Sequence, residues 1–157
     1  MKRSIAILLS VLVFIGIFAA CSSDEKKEIN ISALSQELLD SAAFPGGLEA
    51  IDMENGCYLY GIDCGEGGNV VDAAFYLATG AVADEIAIIK TTDETAASEV
   101  KDAIAARVEY LKGSFESYNP AEVPQLENAF LKTSGIYVVF VCAEDQAAAD
   151  AILKAYI

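Results

Sequence analysis

Between Ile5 and Ala19 the chain runs fifteen residues without a charge, behind Met1-Lys2-Arg3 and just ahead of Cys21, and this stretch fixes where folding can begin. A helix of that length rises about 22 Å, short of the roughly 30 Å hydrocarbon core that a permanent span crosses. A cationic start, an apolar run and a close of small residues match a cleaved export signal instead. The folded part must then be built from the residues beyond the signal. Removal of residues 1–20 leaves 137 residues, enough for one domain with a real core and hardly enough for two.

The run closes Phe18-Ala19-Ala20-Cys21. This resembles the lipobox that lipoprotein signal peptidase cuts once diacylglycerol is attached to the cysteine thiol, although leucine is usual where Phe18 stands. The polar Ser22-Ser23-Asp24-Glu25-Lys26-Lys27 tract reads as a tether. The expected organisation is a signal peptide over 1–20, lipidated Cys21 with a polar tether over 21–29, and one domain over 30–157. Such a protein sits on the extracytoplasmic face of the cell membrane, held by lipid. Acyl chains contribute about 0.8 kcal/mol per buried methylene, so several chains hold firmly. The eight residues Ser22 to Ile29 stretch to about 27 Å at most, which keeps the domain near the bilayer. The other open reading is a secretory signal cut after Ala20, with Cys21 free and the protein soluble outside the cell.

Loss of Lys2 and Arg3 with the signal leaves eight basic and twenty-four acidic residues, a net charge of −16. Nucleic acid is excluded as a partner, because its phosphates need a basic surface. Anionic headgroups are disfavoured for the same reason, so lipid rather than surface charge must hold the protein down. The field favours cationic peptides, basic partner domains or divalent ions. The chain contains no histidine, which removes Ser-His-Asp and Cys-His nucleophilic sites and the usual histidine zinc sites. After Cys21 come Cys57, Cys64 and Cys142, without a CxxC pair, so neither a metal site nor a cofactor is expected. Cys57 and Cys64 are spaced for a small disulfide across a turn. Cys142 ends an apolar run and reads as a core residue.

Leu34, Leu38 and Ala42 recur at helical spacing over 32–42, ahead of Phe44-Pro45-Gly46-Gly47. Apolar runs at 48–53 and 57–62 flank Asn55-Gly56, a turn signal that predicts a hairpin. Gly65-Glu66-Gly67-Gly68 predicts a loop, and strands are expected over 70–79 and 85–91. Thr91 and Glu94, three apart, suggest a capping box for a helix over 93–115. Its stripe of Val100, Ile104, Val108, Leu111 and Phe115 should pack along a sheet. Pro120 and Pro124 break it. Strands at 126–133 and 136–142 and a helix at 147–156 complete the chain.

Strand, strand and helix thus recur, from 70 to 117 and from 126 to 156, with Ile86 matching Tyr137 and Ile88 matching Val139 at an offset of 51. This succession predicts an α+β domain in two layers, an antiparallel sheet with helices packed on it and a ββα quasi-repeat. A second apolar face is suggested by Ala74, Tyr76 and Ala78, by Ala87 and Ile89, and by Tyr137, Val139 and Val141. Either the first helix and the 48–62 hairpin cover it, or it is a docking surface.

Glu85-Ile86-Ala87-Ile88-Ile89-Lys90, then Arg107, then Phe115 and Tyr118-Asn119-Pro120, then Gly135-Ile136-Tyr137-Val138 succeed one another in an order that resembles a family of bacterial lipoproteins, the domain-of-unknown-function 4358 family. The resemblance spans about residues 30 to 156. It implies a lipoprotein and an α+β fold and no activity, and the pair Cys57 and Cys64 is not part of it.

Arg107 is the most informative charged residue, because it falls about 20° from Val100, inside the apolar stripe of its helix. A buried guanidinium needs a partner. The candidates are Glu85, the Tyr118 hydroxyl and the carbonyls of Asn119-Pro120. Arg107 is thereby either a structural ion pair or the grip on a ligand carboxylate. Asp63 and Glu66 in the glycine loop offer oxygen ligands without EF-hand spacing, so a solvated turn is the simpler reading. Asp84 and Glu85 invite comparison with the acid pair of glycoside hydrolases, but successive strand residues point to opposite faces. Two functional classes remain. The first is a non-enzymatic, tethered binding or accessory domain with an extracellular or membrane protein partner. The second is a small carboxylate-dependent hydrolase of the cell envelope.

Overall fold

The structure, a computed structural model, describes residues 28–157, so the apolar run, Cys21 and the tract to Lys27 lie outside the described residues. Five antiparallel strands form one open sheet in the order β1-β2-β3-β5-β4. They are β1 (Glu49–Ile51), β2 (Val70–Leu77), β3 (Glu85–Thr91), β4 (Phe130–Ser134) and β5 (Tyr137–Cys142). Strands β3 and β5 are central because both are apolar on two faces. Every residue of β5 is buried, and in β3 all but Lys90 are. The fold is α+β.

Helices α1 (Ile31–Leu39), α2 (Met53–Tyr60), α3 (Glu94–Tyr118), α4 (Val123–Glu127) and α5 (Gln146–Leu153) complete the chain. They divide between the two faces of the sheet, which gives three layers where two were expected. On one face Ile86, Ile88, Val139 and Val141 meet Leu34 and Leu38 of α1 and Ala149 and Leu153 of α5. On the other, Phe75, Ala87, Ile89, Val138 and Phe140 lie against Val100, Ile104 and Phe115 of α3 and against Cys57 and Tyr60 of α2. Each large apolar side chain so buried contributes about 1.5–3 kcal/mol, and a sheet greasy on both sides needs both layers. Among the described residues no helix is long and apolar enough to cross a membrane.

The suspected second face is therefore covered, by α1 and α5. The residues expected there divide differently: Ala87 pairs with Phe75 in register and faces α3, and Ile89 lies on the same side. The order strand, strand, helix does recur, and Ile88 stands directly opposite Val139. Its two helices nevertheless part, α3 to one face and α5 to the other. A twofold axis between antiparallel neighbours runs normal to the sheet and would have kept both on one face.

The expected hairpin at 48–62 is instead β1 with α2 behind it. Asp52 overrides the turn signal: its carboxylate accepts from the Asn55 backbone N–H at 2.9 Å and from the Asn55 side chain at 2.7 Å, capping the helix. Gly56 serves contact rather than turning, since a Cβ there would lie 2.2 Å from the Phe75 ring. Gly61, at φ 67°, closes α2 in the left-handed conformation. The strand expected from Leu126 begins only at Phe130, because Pro124 sits in the first turn of α4, where its missing N–H costs nothing. At α3 the cap is Asp93, which accepts from Ala96 N–H at 2.8 Å, while the Thr91 hydroxyl donates to the Ile136 carbonyl at 2.7 Å.

Candidate functional site

Three elements bring ionisable groups together at one end of the sheet. Arg107 lies two turns beyond Val100 on α3 and so inherits its sheet-facing direction. Glu85 opens β3 on the face turned to α3, and Tyr60 ends α2. Arg107 Nη2 donates to Glu85 Oε1, Nη1 donates to the Leu59 carbonyl at 3.4 Å, and the guanidinium lies 4.8 Å from the centre of the Tyr60 ring. The Tyr60 hydroxyl donates to Glu85 Oε2 at 3.3 Å. The side chains of Arg107 and Glu85 are only 12% and 7% exposed. Arg107 Nε is buried without a hydrogen-bond partner among the described residues.

Burial raises the Glu85 carboxyl above its usual range, although the Arg107 hydrogen bond and charge pull the other way. Burial lowers Arg107, but the Glu85 hydrogen bond and charge more than offset it, and the guanidinium keeps its proton. The Tyr60 hydroxyl is pushed well up, by burial first and then by the neighbouring Glu85 charge. At neutral pH this is an ionised pair roofed by a neutral tyrosine.

Beside it opens a cleft of about 190 Å³ between the β2–β3 turn and the C-terminal half of α3, lined by Leu77, Val82, Glu85, Arg107, Leu111 and Tyr118 among others. The turn is pinned in place. Ala83 N–H donates to Glu122 at 2.9 Å, and the Asn119 side chain donates to the Ala81 carbonyl at 2.8 Å. Asp84 is buried and accepts from Gln125 at 2.6 Å; burial raises its carboxyl. Asp84 and Glu85 thus belong to separate networks.

The structure corrects one expected partner. Tyr118 lines the cleft, but it is 58% exposed and its ring packs on Phe115 at 4.9 Å; the contacts of Arg107 are Glu85, Leu59 and Tyr60. Tyr60 escaped the sequence reading because its segment read as strand. Its signal was helical: Cys57 and Tyr60, three apart, bury one face of α2.

Cys57 and Cys64 are joined by a disulfide, their Cα atoms 6.1 Å apart, which ties α2 to the glycine loop. Cys142 is buried as a free thiol, and burial pushes it up to about 12. In the loop, Asp63 accepts from the Gly65 N–H at 2.9 Å. Among the described residues no group of three or more acidic or cysteine side chains is placed to hold a metal.

The family model for the domain of unknown function DUF4358 matches residues 45–143. That stretch takes in all five strands together with Tyr60, Glu85 and Arg107. No curated protein and no solved structure matches the chain. With well over half its length so matched, the chain belongs to the family defined by the domain of unknown function DUF4358.

Proposed function

We propose that this protein is a lipid-anchored binding or accessory domain on the outer side of the cell membrane. The observation that carries the reading is Cys21 itself, placed after an uncharged run and two alanines and before a polar tract that leads straight into the folded residues. The Cys57–Cys64 disulfide supports it, because disulfides persist in oxidising compartments outside the cytoplasm. Binding is favoured over catalysis because the chain offers no histidine, and Asp84 and Glu85 lie in separate networks rather than facing each other across a site as an acid and base pair would. The partner is a protein outside the cell or in its membrane.

Two measurements test this. Labelled palmitate should enter the wild type and not Cys21→Ala. Crosslinking in intact cells should return a reproducible protein partner. Turnover of an envelope glycan that a single change, Asp84→Asn or Glu85→Gln, abolishes would replace the binding reading with a hydrolase.

A further inference from the structure

We propose that the cleft beside Arg107 receives one long cationic side chain, a lysine or arginine presented by a partner protein. The inference deepens the binding reading above and rests on it. Small-molecule sites typically enclose about 300–1,000 Å³, so a cleft of about 190 Å³ holds a single side chain rather than a separate ligand.

The walls suit a stem that is apolar and a head that is charged. Leu77, Val82 and Leu111 offer methyl groups to the stem, and Val82 is 42% exposed. Tyr118, 58% exposed, adds an aromatic ring to the lining, a group that draws ammonium and guanidinium heads. The charge of Arg107 is spent on Glu85. An arriving group meets Asp84, which also lines the cleft, beside the Glu85–Arg107 pair. An anion would have to displace Glu85 from a buried pair and approach Asp84. A cation has no ion pair to displace, since the Arg107 charge is already matched by Glu85, and the chain as a whole, at −14, concentrates cations at its surface.

The cleft lies away from the point where the described chain begins. The described chain begins with Glu28 beside Lys90, at 3.5 Å, near one end of β3, and the cleft lies at the other end, by Glu85. Those two residues are five steps apart along the strand, about 17 Å. A tether at Glu28 thus leaves the cleft at the far end of the strand, and the acidic chain disfavours anionic headgroups as its occupant.

The test is a titration of the full lipidated protein in phosphatidylcholine nanodiscs, monitored through its methyl resonances. The probes are acetylated, amidated Gly-Lys-Gly, Gly-Leu-Gly and Gly-Glu-Gly. The lysine peptide should shift Leu77, Val82 and Leu111 saturably and lose affinity as salt is raised. Tyr118→Ala should weaken it about two- to fivefold. Val82→Lys, which supplies a cation from the rim, should abolish binding while the methyls of Ile88 and Val139 stay in place. Equal shifts from the leucine peptide would make the cleft merely apolar, and shifts from the glutamate peptide would make Arg107 an anion grip. Either result overturns the proposal, as do lysine shifts scattered over the surface or none at all. Palmitate labelling is indifferent to these outcomes, so failure here and failure of the lipid anchor are separable.

Discussion

Arg107 carries its charge to the sheet because Glu85 and Tyr60 meet it there, and the energetics of such a pair are asymmetric. Removing one partner strands the other in a dry site, which costs about 3–5 kcal/mol, whereas an apolar replacement of both is often nearly neutral. Arg107→Ala should thus destabilise far more than the double change Arg107→Met with Glu85→Leu, a comparison that urea unfolding reads directly. Equal losses would mean that packing, not charge, makes the site. The raised carboxyls give a second test. A carboxyl held above its unfolded value, 3.8 for Asp84, binds its proton more readily when folded. It therefore favours folding as pH falls from its raised value toward the unfolded one, and weighs against folding above that window. Asp84→Asn should flatten the rise in thermal midpoint between neutral pH and about pH 4. A steeper rise in the variant would reverse the assigned sign.

At the scale of elements, α2 holds the decisive contact. Alanine is about 1 kcal/mol better than glycine inside a helix, yet a Cβ at Gly56 would meet the Phe75 ring at 2.2 Å, and overpacking of this kind costs about 1–3 kcal/mol. Gly56→Ala should lower stability; a gain of about 1 kcal/mol would show that the helix and β2 move apart freely. The disulfide closes a loop with a sequence separation of seven, and reduction should remove about 2–3 kcal/mol in a denaturant titration. The same elements explain how much was legible in the sequence. Strands β3 and β5 and helix α3 were legible because long, uniform apolar patterns leave one solution, and Arg107 was legible from helix arithmetic alone. Helix α2 was not, because Asn55-Gly56 has two physical uses and only Phe75, nineteen positions beyond Gly56, decides between them. The loss of α2 hid Tyr60, and with it the neutral member of the cluster. Helix α4 was hidden by Pro124, which breaks a helix interior but opens a helix equally well.

For the whole molecule, the division of helices between two faces leaves the ends of the sheet, not its faces, to meet other molecules. The described residues start near one end, with Ile29 buried in the core, and the cleft beside Arg107 marks the other. The proposed anchor at Cys21 would attach the molecule to a membrane from the first of these ends. The N-terminal residue of the protein recovered from its own cells, read by intact-mass spectrometry, tests that most directly. The expected species begins at Cys21 and carries diacylglycerol; a chain that still begins at Met1, or a Cys21 with an unmodified thiol, contradicts it.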